Sequence, residues 1–510
     1  MAKSLENIIQ ERRKYRFYEI IPGALIWVTF TVAILLIIIK PIWAIIIIII
    51  FDVLWLIRII YILSYVIIAF IRFRKANKVN WIEKCQKEEY QDRFDKIKHL
   101  IVIPTFQDDF EVVKNTFDYL AKVTVPLKSL FVVLAIEERS GEQGRSIAEQ
   151  IKKRYSSTFG KLLVTYHPAD LPGEIAGKGS NITWAGRKAQ EIIDQEGISY
   201  QDVIVTSLDV DSCVHSQYFA CLSYHFLISP NPTRNSYQPI PLFTNNVWEA
   251  PFFTRVVANS TTFWLLSETA RSERMFTFSS HSMSFQALVD VDFWQNDIVT
   301  EDSRIYLQCL VYYEGEYSIT PIYLPISMDT VQGRGLRQTI EHQYKQIRRW
   351  AYGIENFPFM IWNFKNTRIT KRVRLRYLWN QLEGEYSWST APILIYLLGY
   401  LPLWFTPELE RSTTIFQNAP HTLQILLTIS MIGLLVSAVL SIIILPVKNK
   451  GILKVSSMAL QWLIFPITTI AFGSIPAIDA QTRLMLGKYL GFWPTKKIRT
   501  KQPANPDASQ

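Results

Sequence analysis

Hydrophobic and polar positions divide this chain into three regimes. Residues 21–39 and 42–71 are almost wholly apolar, and Lys40-Pro41 separates the two runs. Each run is long enough to span a bilayer, so the pattern predicts a transmembrane hairpin. Asp52 and Arg58 interrupt the second run and are expected to face protein rather than lipid. From residue 80 to about 380 the pattern changes to short β-branched runs separated by helical periodicity. Residues 100–104, 131–136, 162–166 and 204–211 read as strands, and 109–121 and 143–155 as helices. Alternating strand and helix predicts a parallel sheet covered on both faces, with ligands at the carboxyl ends of its strands. Apolar runs return at 388–405 and 423–445. A shorter one at 458–472 carries Pro466 and reads as a re-entrant or interfacial helix.

Basic residues sit beside the apolar runs. Arg12, Arg13, Lys14 and Arg16 precede the hairpin, and Arg72, Arg74 and Lys75 follow it. Both ends of the hairpin are therefore expected on the cytosolic side of the plasma (inner) membrane, with the middle region beyond them cytosolic. The net charge of +10 belongs to this anchoring against lipid headgroups. No basic stretch carries the aromatic interleaving of a nucleic-acid groove, so no nucleic acid is expected. Cys85, Cys213, Cys221 and Cys309 lack metal-ligand spacing and read as reduced, packed thiols. The resulting division is a transmembrane hairpin over 1–75, a cytosolic domain over 80–330 and amphipathic interfacial helices over 331–385. A second hairpin over 386–446 and a re-entrant segment with a basic tail over 447–510 complete it.

Polar residues cluster at the expected strand ends. Asp108 follows the first strand and Glu137 the second. Gly177-Lys178-Gly179-Ser180-Asn181 opens a helix after the third, where a lysine and backbone amides can meet phosphate. Asp209 and Asp211 end the fourth. At i and i+2 of a strand they would face one way and could share a magnesium or manganese ion. Any one of these is an ordinary turn or cap on its own. Downstream, Thr300-Glu301-Asp302 opens a helix, either as an N-cap with acids in its first turn or as the seat of a general base. A helix over 343–357 carries Gln346-Ile347-Arg348-Arg349-Trp350, with Gln346, Arg349 and Trp350 on one face, or else lies on the membrane surface as a basic amphipathic helix.

The order of these motifs resembles the membrane-bound family 2 glycosyltransferases, the group of cellulose, chitin and hyaluronan synthases. The resemblance implies a GT-A-type, Rossmann-like α/β domain between transmembrane helices. It implies an inverting, metal-dependent hexosyltransferase that moves a sugar from a nucleotide-sugar, a UDP-sugar by preference, to a glycan or lipid-linked acceptor. Asp302 would be the catalytic base. Asp108, Glu137, Lys178, Asn181, Asp209, Gln346, Arg349 and Trp350 would bind the donor, and Asp209 and Asp211 would hold Mg2+ or Mn2+. His281, Ser282 and Glu301 would lie toward the acceptor. Phe492-Trp493-Pro494-Thr495-Lys496-Lys497 is similar to the synthases' gating loop, which places Phe492, Thr495 and Lys497 there. The synthases continue with further spanning helices after that loop, whereas this sequence closes on a polar tail. Export would then call for an oligomer or a partner. Two other readings are a polyprenyl-phosphate sugar synthase, whose phosphate acceptor needs no base, and a non-catalytic membrane partner of a polysaccharide export complex.

Overall fold

The computed structural model describes residues 12–444, 451–494 and 507. Two long helices, α1 (Arg12–Ile39) and α2 (Pro41–Ala76), form the first apolar pair. Pro41 opens α2 at the one place where a missing N–H costs no helical hydrogen bond. Both helices are long and apolar enough to cross a membrane. Asp52 is buried, and Arg58 pairs with Glu383 and Ser387 of a later helix.

The middle region builds one eight-stranded sheet in the order β3-β2-β1-β4-β7-β6-β8-β5. Strands β1 (Lys98–Thr105), β2 (Leu130–Glu137), β3 (Lys161–His167) and β4 (Val203–Ser207) are parallel to one another. Alternation in β1 and β2 sorts their side chains into two cores. Ile101, Ile103, Val132 and Leu134 pack under α3 (Phe110–Leu120) and α4 (Gly141–Tyr155). Leu100, Val102, Val133 and Ala135 pack under α5 (Lys178–Gln195) on the other face. All four cysteines are free and buried in these layers.

The second half of the sheet departs from the expected all-parallel arrangement. β5 (Cys213–Val214), β6 (Asn235–Leu242), β7 (Ser282–Ser284) and β8 (Ser318–Ser327) include antiparallel pairs β4–β7, β6–β7 and β5–β8. Pro239, Pro241, Pro321 and Pro325 lie inside β6 and β8, and the ladder shifts register between Pro239 and Ile240. Proline removes a ladder donor, which hides such strands from a pattern reading. Between these strands run α6 (Tyr218–Ile228) and α7 (Phe252–Thr269), and α8 (Glu301–Tyr312) precedes β8.

After the sheet come α9 (Leu336–Ala351) and α10 (Asn356–Phe364). α11 (Lys371–Tyr396) then bends by 42° into 398–405, and this pair together could make one span. α12 (Thr414–Ile444) is a further candidate span. Helical segments then run from Ile452 to Leu486, long and apolar enough together to cross a membrane, where the sequence pattern pointed to a short re-entrant piece. The run continues past Pro466 and Pro476 because each stands in the first turn of a new segment. A π-type turn at Ile470–Ser474 precedes the last segment, α13 (Ile475–Leu486). Lys448 and Lys450 lie outside the described residues.

Phe117 is fully buried on α3, with the rings of Tyr155 and Phe159 at 5.2 and 6.1 Å. Phe117→Ala is expected to destabilise the protein by about 3–5 kcal/mol through the cavity it leaves. Thermal unfolding of the purified protein in detergent measures this.

Candidate active site

β4 stops at Ser207, so Asp209 and Asp211 lie on the turn beyond it and not on the strand. This undoes the i, i+2 argument for a shared ion. The two carboxylates part company. Asp209 accepts from Lys178 Nζ at 2.7 Å through Oδ1 and from the Ser279 hydroxyl through Oδ2. Asp211 is fully buried; its Oδ2 accepts from the Asp329 backbone N–H at 2.9 Å, and its carbonyl from Asn245 at 2.8 Å. Among the described residues no group of three His, Cys, Asp or Glu side chains could hold a metal ion. As folded here, Asp209 and Asp211 do not fit a common divalent ion.

The amino ends of α5 and α8 meet at this point. Lys178 is the first residue of α5, and Glu301 and Asp302 are the first two of α8. Lys178 Nζ lies 2.8 and 3.0 Å from the two Asp302 oxygens and 3.8 Å from Glu301. The close approach needs Gly179: a Cβ there would stand 3.3 Å from the Glu301 Cβ and 3.2 Å from the Gln295 carbonyl. Burial opposes the charge on Lys178, but Asp209, Asp302 and Glu301 outweigh it and hold the ammonium's pKa above its usual value. Glu301 is 2% exposed, and its Oε2 has no hydrogen-bond partner. Burial, aided by the adjacent Asp302, pushes its carboxyl up to about 8.

His281 Nδ1 lies 3.6 Å from Asp302 and 3.0 Å from the Phe278 carbonyl. The Trp294 indole donates to its Nε2 at 3.4 Å. That network assigns the neutral tautomer with the proton on Nδ1. Burial lowers the ring's pKa in the same sense, against the pull of Asp302. His281 therefore stands beside Asp302 as a neutral ring. Ser282 does not reach the site: it is fully buried in β7, bonded to Thr206 at 2.8 Å and Tyr218 at 3.0 Å.

At the ends of β1 and β2 a second group gathers. Asp108 accepts from the Thr105 hydroxyl and the Phe106 N–H, both at 3.0 Å, closing a tight turn with Gln107 at φ +54°. Glu137 accepts from Arg139, whose guanidinium lies 4.8 Å over the Phe106 ring. Asn181 is turned the other way. It is 1% exposed and donates to the Ala135 carbonyl at 2.9 Å, strapping α5 to β2 rather than facing the cleft.

The Gln346-x-x-Arg349-Trp350 segment lies on α9, which begins seven residues before the position the pattern indicated and ends at Ala351. Gln346 is buried, and the Trp350 ring sits 6.0 Å from Phe243. Arg349 lies 4.8 Å over Phe492, and its charge lowers the pKa of Glu301. Phe492 itself packs on the start of α5, so closely that a Cβ on Gly177 would stand 2.4 Å from its ring. Thr495 and Lys497 lie outside the described residues. On another side of α9, Tyr344 and Arg348 bond Asp479 of α13 at 3.0 and 2.9 Å.

Thr300 does not cap α8 with its own side chain. Its backbone N–H, at 3.1 Å, and its hydroxyl both donate to Glu355. Arg304, 2% exposed, bonds Asn356 at 2.7 Å, Gln295 at 2.8 Å and the Glu355 carbonyl at 3.2 Å. These ties lock the start of α8 to the junction of α9 and α10. Sequence reasoning missed Arg139, Arg304 and Glu355. The one available signal was an arginine two residues beyond Asp302, on the same helix.

Because Glu301 titrates near 8 in the fold and near 4.5 ordinarily, the folded chain keeps a proton that the unfolded chain has lost. On account of this group, stability falls as pH rises between about 4.5 and 8. Glu301→Gln removes that slope. Melting temperatures of wild type and variant, compared across the same window, are expected to diverge with the variant gaining toward the alkaline end.

The chain matches the sequence model of a family described as glycosyl transferase family group 2 over residues 204–475, just over half its length. No curated protein matches it. Solved structures that match include the mannosyltransferase PcManGT from Pyrobaculum calidifontis, in complex with GDP-Man and Mn2+. That match has 13% identity and a TM-score of 0.44, and covers 84% of this chain and 99% of that one. They also include S. aureus TarS 1–349 with UDP-GlcNAc, at 13% identity and a TM-score of 0.36, covering 72% and 91%. By the family match, this chain belongs to glycosyl transferase family group 2.

Proposed function

We propose that the chain transfers a sugar from a nucleotide-sugar to a hydroxyl of a glycan or lipid-linked acceptor at the membrane, with inversion at the anomeric carbon. The observation that carries this reading is the meeting of Asp302, Lys178 and two helix amino ends beyond the carboxyl ends of the parallel strands. Asp302 takes the proton from the acceptor hydroxyl as that oxygen attacks the anomeric carbon and the nucleoside diphosphate leaves. One base suffices, since a single displacement inverts the centre without an enzyme nucleophile. Positive charge for the diphosphate comes from Lys178, Arg349 and the amide ends of α5 and α8. Asp108, Glu137, Arg139 and Phe106 offer the base-binding wall, with a planar guanidinium over an aromatic ring beside two acids. Gln346 and Trp350 cover the sugar side, the indole serving as a platform for a pyranose face. Basic residues on both flanks of the first helix pair support a cytosolic position for the sheet domain.

The direct test is release of nucleoside diphosphate from a panel of UDP- and GDP-sugars by the purified chain in nanodiscs, with glycan and lipid-linked acceptors supplied. Asp302→Asn is expected to lower turnover by about 10²–10⁴-fold, the usual worth of a positioned base, while still binding nucleoside diphosphate. Trp350→Ala is expected to raise the acceptor KM more than the donor KM. Turnover unchanged in Asp302→Asn would remove the base from the mechanism.

A further inference from the structure

We propose that the acceptor is a saccharide carried on a lipid phosphate, and that the guanidiniums of Arg58, Arg271 and Arg274 hold that phosphate where the sheet domain meets the membrane. This rests on the transferase reading above and narrows its acceptor. The three arginines come from separate parts of the chain. Arg58 lies on α2, 5.0 Å over the Trp55 ring, and donates to Glu383 and, at 2.9 Å, to Ser387 of α11. Arg271 follows α7. It donates to the Ser267 carbonyl at 3.0 Å, to the Ser267 hydroxyl at 2.9 Å and to Glu268. Its guanidinium lies 5.4 and 5.2 Å from the rings of Tyr61 and Tyr65 on α2. Tyr61 stands one helical turn beyond Arg58, so both arginines lie along one face of α2. Arg274 ends the turn Ser272–Arg274, which α11 pins: Arg376 donates to the Glu273 carbonyl at 2.7 Å and Asn380 to the Arg274 carbonyl at 3.1 Å.

The three guanidiniums are paired with two carboxylates, Glu268 and Glu383. Glu268 is buried, and burial outweighs Arg274, Arg271 and Arg58 to leave its pKa above the usual value; the exposed Glu273 adds to that rise. Arg274 Nε is buried 3.5 Å from Glu268 and has no hydrogen-bond partner among the described residues. The side chains of Arg58 and Arg274 are partly exposed, so an anion can reach them. A guanidinium fork matches phosphate oxygens two at a time. The level is that of lipid headgroups. Counted from Pro41, about 20 helical residues cross a hydrocarbon core, which brings Arg58, Tyr61 and Tyr65 to its boundary. On α11 the apolar run starts at Trp388, just after Glu383 and Ser387. Tyrosines and tryptophans favour that boundary, and basic pockets there suit lipid phosphates. The same turn leads to the base. Thr277 stands three residues beyond Arg274 and donates to the Asp302 carbonyl. Extended chain covers at most about 11 Å over three residues, a distance that a short saccharide spans. The lipid tail would then stay in the bilayer while a sugar hydroxyl reaches Asp302.

Native mass spectrometry of the purified full chain, released from detergent without nucleotide, tests this. The probes are farnesyl phosphate, farnesol, dioleoylphosphatidylglycerol and inorganic phosphate, for wild type and Arg274→Gln. Wild type is expected to bind farnesyl phosphate more tightly than each of the others by about tenfold or more, and Arg274→Gln to lose that preference. With a saccharide linked to lipid through phosphate as acceptor, Arg274→Gln is expected to raise the acceptor KM by about tenfold and to leave the donor KM as it is. Farnesol bound as tightly as farnesyl phosphate, or a preference that survives in Arg274→Gln, overturns the proposal. Equal binding of phosphatidylglycerol overturns it in favour of a general contact with anionic lipid, and equal binding of inorganic phosphate in favour of a free anion. If Arg274→Gln fails to fold, the wild-type ranking of the four probes decides the matter. The transferase reading fails separately: no nucleoside diphosphate released from any sugar donor, with the farnesyl phosphate preference intact, sinks that reading and leaves the phosphate site standing.

Discussion

One ammonium and three carboxyl groups meet at one point, Lys178 and Glu301 buried and Asp209 and Asp302 partly exposed, and the geometry around them follows from keeping that charge balanced. Lys178 can stand among Asp209, Glu301 and Asp302 only because α5 and α8 begin at the same point. Two amide-rich helix ends pointed at one spot favour anions there. Gly179 lets the helices close to that distance, and the pleat of β1 and β2 sets where α5 lies. Glu301 shows what the arrangement costs, since it is the member of the group that holds a proton at neutral pH.

The apolar helices are wired to this centre through polar contacts. α9 carries the Gln-x-x-Arg-Trp segment and is held to α13 by Asp479. α13 in turn packs on α1, where Arg16 reaches the Leu484 carbonyl at 2.6 Å. α11 bonds outward to several helices. Glu383 and Ser387 meet Arg58 of α2, Tyr386 meets Thr29 of α1, and Ser389 meets Gln481 of α13. Polar pairing between helices fits segments whose alternative partners are lipid tails.

Much of this was legible in the sequence, and the failures have physical causes. β1 and β2 were readable because burial on both faces leaves unbroken apolar runs, and β3, α3 to α5 and the start of α8 because they stand between strongly periodic helices and turn residues. β6 and β8 were not, because Pro239, Pro241, Pro321 and Pro325 look like breakers until the ladder is seen to shift around one of them. Asp302, Lys178, Asp209 and Arg349 do converge. Asn181 and Ser282 do not, since a small polar residue on a motif serves packing as readily as binding, and its direction depends on the helix phase or strand face. Asp211 was misplaced by one assumption, that β4 continues to the end of its apolar run, when it stops at Ser207. Glu355 and Arg304 were invisible because their role depends on a contact between distant parts of the chain.

The bond from Thr300 to Glu355 has a mechanical meaning. It joins the residue that opens α8 to the turn just after α9, and Arg304 doubles the joint. Asp302 and Trp350 therefore share one frame of reference. A fluctuation that tilts α9 carries the start of α8 with it, so the spacing between Asp302 and Trp350 is conserved.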